Sequence, residues 1–194
     1  MRSFEPIKAF MLKEQRSQHE IVLFKSLFDR YISDEEKKVD WQNISSPVDQ
    51  SIINYDQIPI CNHEKAKQLL SELVVCRLNG GLGTGMGCLG PKSAIEVRDG
   101  KSFLDLIVSQ IQNLNDSYQV NVPLLLMNSF NTDHDTKKII KKYDTDLDIQ
   151  TFQQNKFPRL TKDSLTPLSA ESFGDQAFYP PGHGDIFNSI NDSG

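Results

Sequence analysis

Between Gly80 and Gly90 the chain places six glycines in eleven residues. They follow the apolar stretch Leu73-Val74-Val75-Cys76-Arg77-Leu78 and precede Pro91-Lys92-Ser93. Glycine loses more conformational freedom on folding than any other residue, so such a cluster needs an offsetting gain. A loop whose backbone N–H groups approach an anion closely, with no Cβ in the way, supplies one. The strand that leads in and the proline that leads out distinguish this arrangement from a slack surface loop. The run predicts a phosphate-binding loop at the end of a strand.

Two familiar nucleotide patterns fail on this loop. Gly85-x-Gly87-x-x-Gly90 has the letters of the dinucleotide fingerprint, which opens a helix and is followed about 20 residues on by an acidic group after the second strand. Here Pro91 follows the last glycine, Ser93–Val97 reads as a strand, and Asp105 falls in a helical pattern. The P-loop pattern almost fits from Gly85 to Lys92-Ser93, but Pro91 separates the required glycine and lysine.

The 194 residues suffice for one domain with a sizeable core, and 38% hydrophobic with 24% charged residues suits a globular protein. A net charge of −5 argues against nucleic acid or an anionic membrane as the main partner, while leaving nucleotides open. Cys61, Cys76 and Cys88 form no Cys-x-x-Cys pair and leave an odd thiol, which favours a reduced, cytoplasmic setting over a disulfide framework. Their spacing, with His183, does not match a zinc site. No signal peptide or membrane span is legible.

Along the chain, Ile21, Val22, Leu23, Phe24, Leu27, Phe28 and Tyr31 recur at helical spacing, and Ser33 before Asp34-Glu35-Glu36 reads as another helix start. Residues 41–60 read as an irregular connector. Asn62 is placed to cap a helix with Ala66, Leu69, Leu70 and Leu73 on one face. From Leu73 strands and helices alternate: a strand over 73–78 with Cys76 buried, then a helix capped by Ser102-x-x-Asp105 with a stripe of Phe103, Leu104, Ile107, Ile111 and Leu114. A strand over Val122–Met127 covered on both faces follows, then a helix from Thr132 and a strand over Leu147–Phe152. This order predicts an α/β fold, a parallel sheet flanked by helices behind a helical N-terminal segment. Asp133-His134-Asp135 fits the positive end of a helix dipole better than a metal site, so no metal ligand is assigned.

The run Leu78-Asn79-Gly80-Gly81-Leu82-Gly83-Thr84-x-Met86-Gly87-Cys88-x-Gly90-Pro91-Lys92-Ser93 resembles the signature of eukaryotic UTP–glucose-1-phosphate uridylyltransferases, the UDP-glucose pyrophosphorylases. Three later stretches resemble the same family in the same order: Val122–Thr132, Phe152–Arg159 and Tyr179–Asp185. The likeness runs from about Trp41 onward. It implies a Rossmann-like nucleotidyltransferase domain over 61–194, behind an N-terminal helical segment and connector over 1–60. The implied reaction joins UTP and glucose 1-phosphate to give UDP-glucose and pyrophosphate. Such chemistry relies on positioning and charge neutralisation.

The resemblance also implies roles. Lys92 becomes the cation on the triphosphate and the catalytic residue. Leu78, Asn79, Gly80, Gly81 and Gly83 become nucleotide-binding. Gln154 matches the family glutamine that recognises uracil, with Gln153 as the neighbouring alternative, since an amide both donates to a uracil carbonyl and accepts from the ring N–H. Gly182 falls near the uridine and His183 near the sugar phosphate. Mg²⁺ is the implied cofactor, its aspartate ligand lying in an Asn-x-Asp-Asn segment that relatives carry beyond the equivalent of Gly194. Relatives also continue to a second active-site lysine and a C-terminal β-helix used in homo-oligomerisation. The chain is therefore expected to be the first part of such an enzyme, the alternative being a truncated, non-catalytic nucleotide-binding or interaction protein. Gly85 departs from the family, which has serine or threonine there.

Overall fold

A computed structural model describes residues 3–33, 39–82, 84–87, 90–143 and 147–193. Helices α1 (Glu5–Lys13) and α2 (Gln18–Ile32) open the chain, and α3 (His63–Leu70) follows a connector of three short 3-10 turns. Strand β1 (Val75–Asn79) leads to the glycine loop. Next come β2 (Glu96–Arg98), β3 (Lys101–Ser102), α4 (Phe103–Tyr118), β4 (Leu124–Asn128), α5 (Asp133–Ile139) and β5 (Ile149–Gln153). The chain finishes with β6 (Phe157–Pro158), α6 (Ala170–Phe173), β7 (Phe178–Tyr179) and α7 (Ile186–Ser193).

Strands β1, β4 and β5 form the expected parallel sheet in the order β1-β4-β5. Leu124 and Leu126 of the central strand share a buried cluster with Leu104, Val108 and Ile111 of α4, and Ile139, Ile140 and Tyr143 close it. Capping explains where α4 starts. Ser102 Oγ accepts from Asp105 N at 3.2 Å while Asp105 Oδ2 accepts from Ser102 N at 2.7 Å, the reciprocal box anticipated from sequence. After α4 turns at Gln119 in a left-handed conformation, Asn115 holds the incoming strand, bonding Val122 N at 2.8 Å and Val122 O at 3.2 Å.

A second cluster joins Phe4, Ile7 and Met11 to Ile21, Phe24 and Phe28, and these helices pack on Phe157 and Leu165 far along the chain. Ser17 and Glu20 cap α2 by the same reciprocal device.

Four local expectations change. Residues 92–94 form a 3-10 turn instead of a strand, because Ala94 N bonds back to Pro91 O; only Glu96–Arg98 is extended, in an antiparallel pair with β3. Cys76 is only half-buried, because β1 lies at an edge of the sheet. The apolar face expected of α3 is only partly covered: Leu70 packs against the cluster under the sheet, Leu69 is 56% exposed, and Leu73 lies past the helix end. In the α4 stripe, Leu104 and Ile111 are buried but Phe103 is 46% exposed. The helix start expected at Ser33 to Glu36 falls mostly on residues outside those described.

Candidate functional site

The register of the sheet aligns three polar residues at its carboxyl edge: Asn79 of β1 opposite Asn128 of β4, and Asn128 opposite Gln153 of β5. Ligands in open parallel sheets sit beyond that edge. Here the three amides belong to one hydrogen-bonded belt. Asn79 Nδ2 donates to Asn128 Oδ1 at 2.7 Å and to Thr136 Oγ1 at 2.8 Å. Asn128 Nδ2 donates to Asp133 Oδ1 at 3.0 Å, and Gln153 Nε2 donates to Asp133 Oδ2 at 2.8 Å. Ser93 Oγ completes the belt by donating to Asn79 Oδ1. The Asn79 side chain, expected to meet the nucleotide, is thus engaged inside the protein and is 5% exposed.

Above this belt the glycine loop is pinned at its stem. Lys92 N donates to Gly81 O at 3.0 Å, and Leu82 bridges Pro91. Lys92 is thereby brought beside the first glycines although it lies eleven positions beyond Gly81. Hydroxyls from the β4–α5 turn hold the carbonyls of the entering chain: Ser129 Oγ bonds Gly80 O at 2.8 Å and Thr132 Oγ1 bonds Asn79 O at 2.9 Å. A cavity of about 720 Å³ opens here, with Leu78, Asn79, Gly81, Lys92 and His183 in its wall. Five of the residues singled out from sequence therefore converge on one space. Among the described residues no carboxylate pairs with the Lys92 ammonium, which is exposed.

Gln154 and Gly80 form the adjoining part of the site. A Cβ at Gly80 would lie 2.0 Å from Gln154 Nε2 and 3.4 Å from Ser129 Cβ. The absence of a side chain is what lets the Gln154 amide occupy this place. Gln154 is 5% exposed, its backbone N–H bonds Asn128 O at 2.8 Å, and its Oε1 is buried with no partner among the described residues. An orphaned buried acceptor costs about 1–3 kcal/mol, so it calls for a donor beyond those the described residues provide. Gln153, by contrast, has its amide tied to Asp133.

Gly182 takes φ 102°, a conformation that favours glycine, and so turns the chain into His183. This turn is anchored by Asp185, which accepts from Asn155 Nδ2 at 2.8 Å, Ser189 Oγ at 2.9 Å and Asn188 Nδ2 at 3.0 Å. The turn bearing His183 is thus tied to the segment bearing Gln154. Gly83 lies outside the described residues. At Gly81 an added Cβ would meet only Lys92 Cδ, at an ordinary 3.6 Å.

The family model for UTP–glucose-1-phosphate uridylyltransferase matches residues 21–194. The chain belongs to that family. It is 50% identical over 184 residues to the UTP–glucose-1-phosphate uridylyltransferase of Musa acuminata, a match covering 93% of this chain and 39% of that protein. It is 52% identical over 171 residues to that of Encephalitozoon cuniculi (strain GB-M1), covering 88% of this chain and 34% of the relative. The fold superposes with a TM-score of 0.82 and 31% identity on a variant of UDP-glucose pyrophosphorylase from Leishmania major in complex with UDP-glucose. That match covers 100% of this chain and 40% of the other. The chain spans well under half the length of these relatives.

Family membership leaves the metal question to the residues themselves. Among the described residues no three His, Cys, Asp or Glu side chains stand close enough to hold a metal ion. Asp133 is committed to Lys137, Asn128 and Gln153, and Asp135 sits against His134 at the surface. Also among the described residues, no helix is long and apolar enough to cross a membrane.

The sequence motifs assigned no role to Asn128, Ser93 or Arg77, and Asp133 had only a helix-dipole one. Arg77 lines the cavity from β1. The overlooked signal for the belt is that each of the three parallel strands closes on an amide side chain: Asn79, Asn128 and Gln153.

Proposed function

We propose that this chain binds UTP at the carboxyl edge of its parallel sheet and serves a uridylyltransferase that makes UDP-glucose and pyrophosphate from UTP and glucose 1-phosphate. The observation that carries the reading is the Gln154 amide, buried against Gly80 with an unpartnered Oε1, beside a cavity walled by Lys92 and Gly81. Uracil offers the missing donor at its ring N–H and a carbonyl for the amide N–H₂. Gln154 takes this role because Gln153 is held by Asp133.

In this reading Lys92 and the backbone around Gly80 and Gly81 meet the triphosphate, and Leu78 flanks the base. An oxygen of the sugar phosphate attacks the α-phosphorus of UTP. The α–β phosphoanhydride bond breaks, and its electron pair leaves with pyrophosphate. The protein contributes position and positive charge. His183 and Gly182, on the turn pinned by Asp185, meet the sugar phosphate and the uridine. Mg²⁺ belongs to this proposal as the companion ion of a triphosphate, and none of the steps above is assigned to it. The proposal also places the chain in cytoplasmic carbohydrate metabolism and leaves oligomerisation to portions that its longer relatives carry.

Calorimetric titration of the chain with UTP, followed by competition with UDP-glucose, tests the reading. Saturable UTP binding displaced by UDP-glucose is expected. Absence of both, in a chain that melts cooperatively, contradicts it. Chromatographic detection of UDP-glucose after incubation with UTP, glucose 1-phosphate and Mg²⁺ shows whether turnover accompanies binding.

A further inference from the structure

We propose that Asp133 is a positioning residue that sets the Gln154 amide for uracil over cytosine and holds it in register with the Lys92 loop. The inference rests on the UTP reading and adds a determinant of base selectivity that does not touch the nucleotide.

Asp133 is 8% exposed and stands where the two arms of the belt meet. Its Oδ2 takes Gln153 Nε2 at 2.8 Å and Lys137 Nζ at 2.8 Å, and its Oδ1 takes Asn128 Nδ2 at 3.0 Å. An ionised carboxylate only accepts, so it dictates the direction of every amide in line with it. Asn128 must turn its N–H₂ to Asp133 and its oxygen to Asn79. Asn79 must then turn its N–H₂ inward and its oxygen to Ser93, the neighbour of Lys92. Burial pushes the Asp133 carboxyl up, but bonds from Lys137, Asn128 and Gln153 outweigh it and hold the group below the usual carboxylate range.

The other arm reaches the base. Gln153 is bound to Asp133 by its side chain, and Gln154 follows it directly, with its own N–H on Asn128 O at 2.8 Å. The backbone at 153–154 is therefore fixed from both sides of Asn128. A glutamine amide turned over presents its donor where its acceptor was, which suits cytosine instead of uracil. Selectivity thus requires that the amide keep its seat: Gly80 leaves it just that space, and the Asp133 tether on Gln153 fixes the backbone from which it projects.

The test compares UTP and CTP dissociation constants for the full chain, its D133N and Q153A variants and the double variant D133N/Q153E. In D133N the introduced amide still accepts from Asn128, but its N–H₂ then faces Gln153, which keeps the tether only by turning its own amide over. The UTP-over-CTP ratio is expected to fall at least about fivefold, roughly 1 kcal/mol. Q153A, at an exposed side chain, is expected to move the ratio the same way and decides the matter if D133N does not fold. The double variant returns a carboxylate opposite the introduced amide and should recover most of the ratio. A merely structural role would lower the binding-competent fraction for both nucleotides and leave the ratio unchanged. Wild-type ratios in every folded variant overturn the inference alone. A wild-type chain that binds UTP and CTP equally overturns the uracil reading and the inference with it.

Discussion

Asp105 and Asp133 begin two helices of the same domain with the same chemistry and different consequences. Each lies in a first helical turn, where the helix dipole favours an anion. Each pairs with a lysine at 2.8 Å, Lys142 for Asp105 and Lys137 for Asp133. In both, burial alone pushes the carboxyl upward and hydrogen bonds win, leaving it below the usual range. The difference is where the donors reside. Asp105 gathers Ser102 at the start of α4 and Tyr143 just after α5, so it joins two elements packed over the hydrophobic cluster. Asp133 gathers Asn128 and Gln153, which are the ends of two strands. A helix-start aspartate can lock a fold or shape a site, and the position of its donors decides which.

Substitutions sharpen that contrast in order of effect. Gly80→Ala should be the most damaging to the site, because the added Cβ falls on the buried Gln154 amide. Overpacking of this kind costs about 1–3 kcal/mol, and UTP affinity should drop about 100-fold in calorimetry. Unchanged affinity would separate Gly80 and Gln154 from nucleotide binding. Lys92→Ala should come next, weakening UTP by about 10- to 100-fold through a lost charge-assisted contact worth roughly 1.5–3 kcal/mol. Its melting temperature should hold, since Lys92 is exposed and unpaired among the described residues. A large melting shift would instead make it a structural cation.

Asp105→Asn should do the reverse, lowering the melting temperature while leaving the UTP-over-CTP ratio alone. Its loss of about 1–2 kcal/mol corresponds to roughly 2–8 °C for a chain of this size. The pH dependence has a fixed sign. The folded carboxyl titrates below its unfolded value, so its contribution is complete above the unfolded value, about pH 4, and fades as pH falls below it. Between pH 6 and pH 3 the wild type should therefore lose more stability than Asp105→Asn. Parallel melting curves across that range would remove Asp105 as the acid-sensitive tie.

The parallel sheet, the α4 capping box and the turn into α5 were legible because periodicity and capping are local. The glycine loop stood out because its composition is costly unless close backbone approach offsets it. Burial along β1 was misjudged because an apolar run does not say whether its strand is central or at an edge. The strand expected at Ser93 gave way to a 3-10 turn closed by Pro91 O, a bond that residue pattern does not announce. Gln154 was preferred through the family motif, because two adjacent identical residues differ in nothing local. Strand alternation sets them apart, sending the Gln153 amide to Asp133 and burying that of Gln154 beside Gly80. The belt itself joins residues up to 74 positions apart, from Asn79 to Gln153, and only the sheet register brings them together.

The central claim is that the orphaned Gln154 amide reads uracil. The direct test is the pair of UTP and CTP dissociation constants for the wild type and Gln154→Ala, measured by calorimetry on the same preparations. The account predicts a clear UTP preference in the wild type that collapses to near equality in the variant, with CTP affinity little changed. An equal preference in both proteins would contradict it.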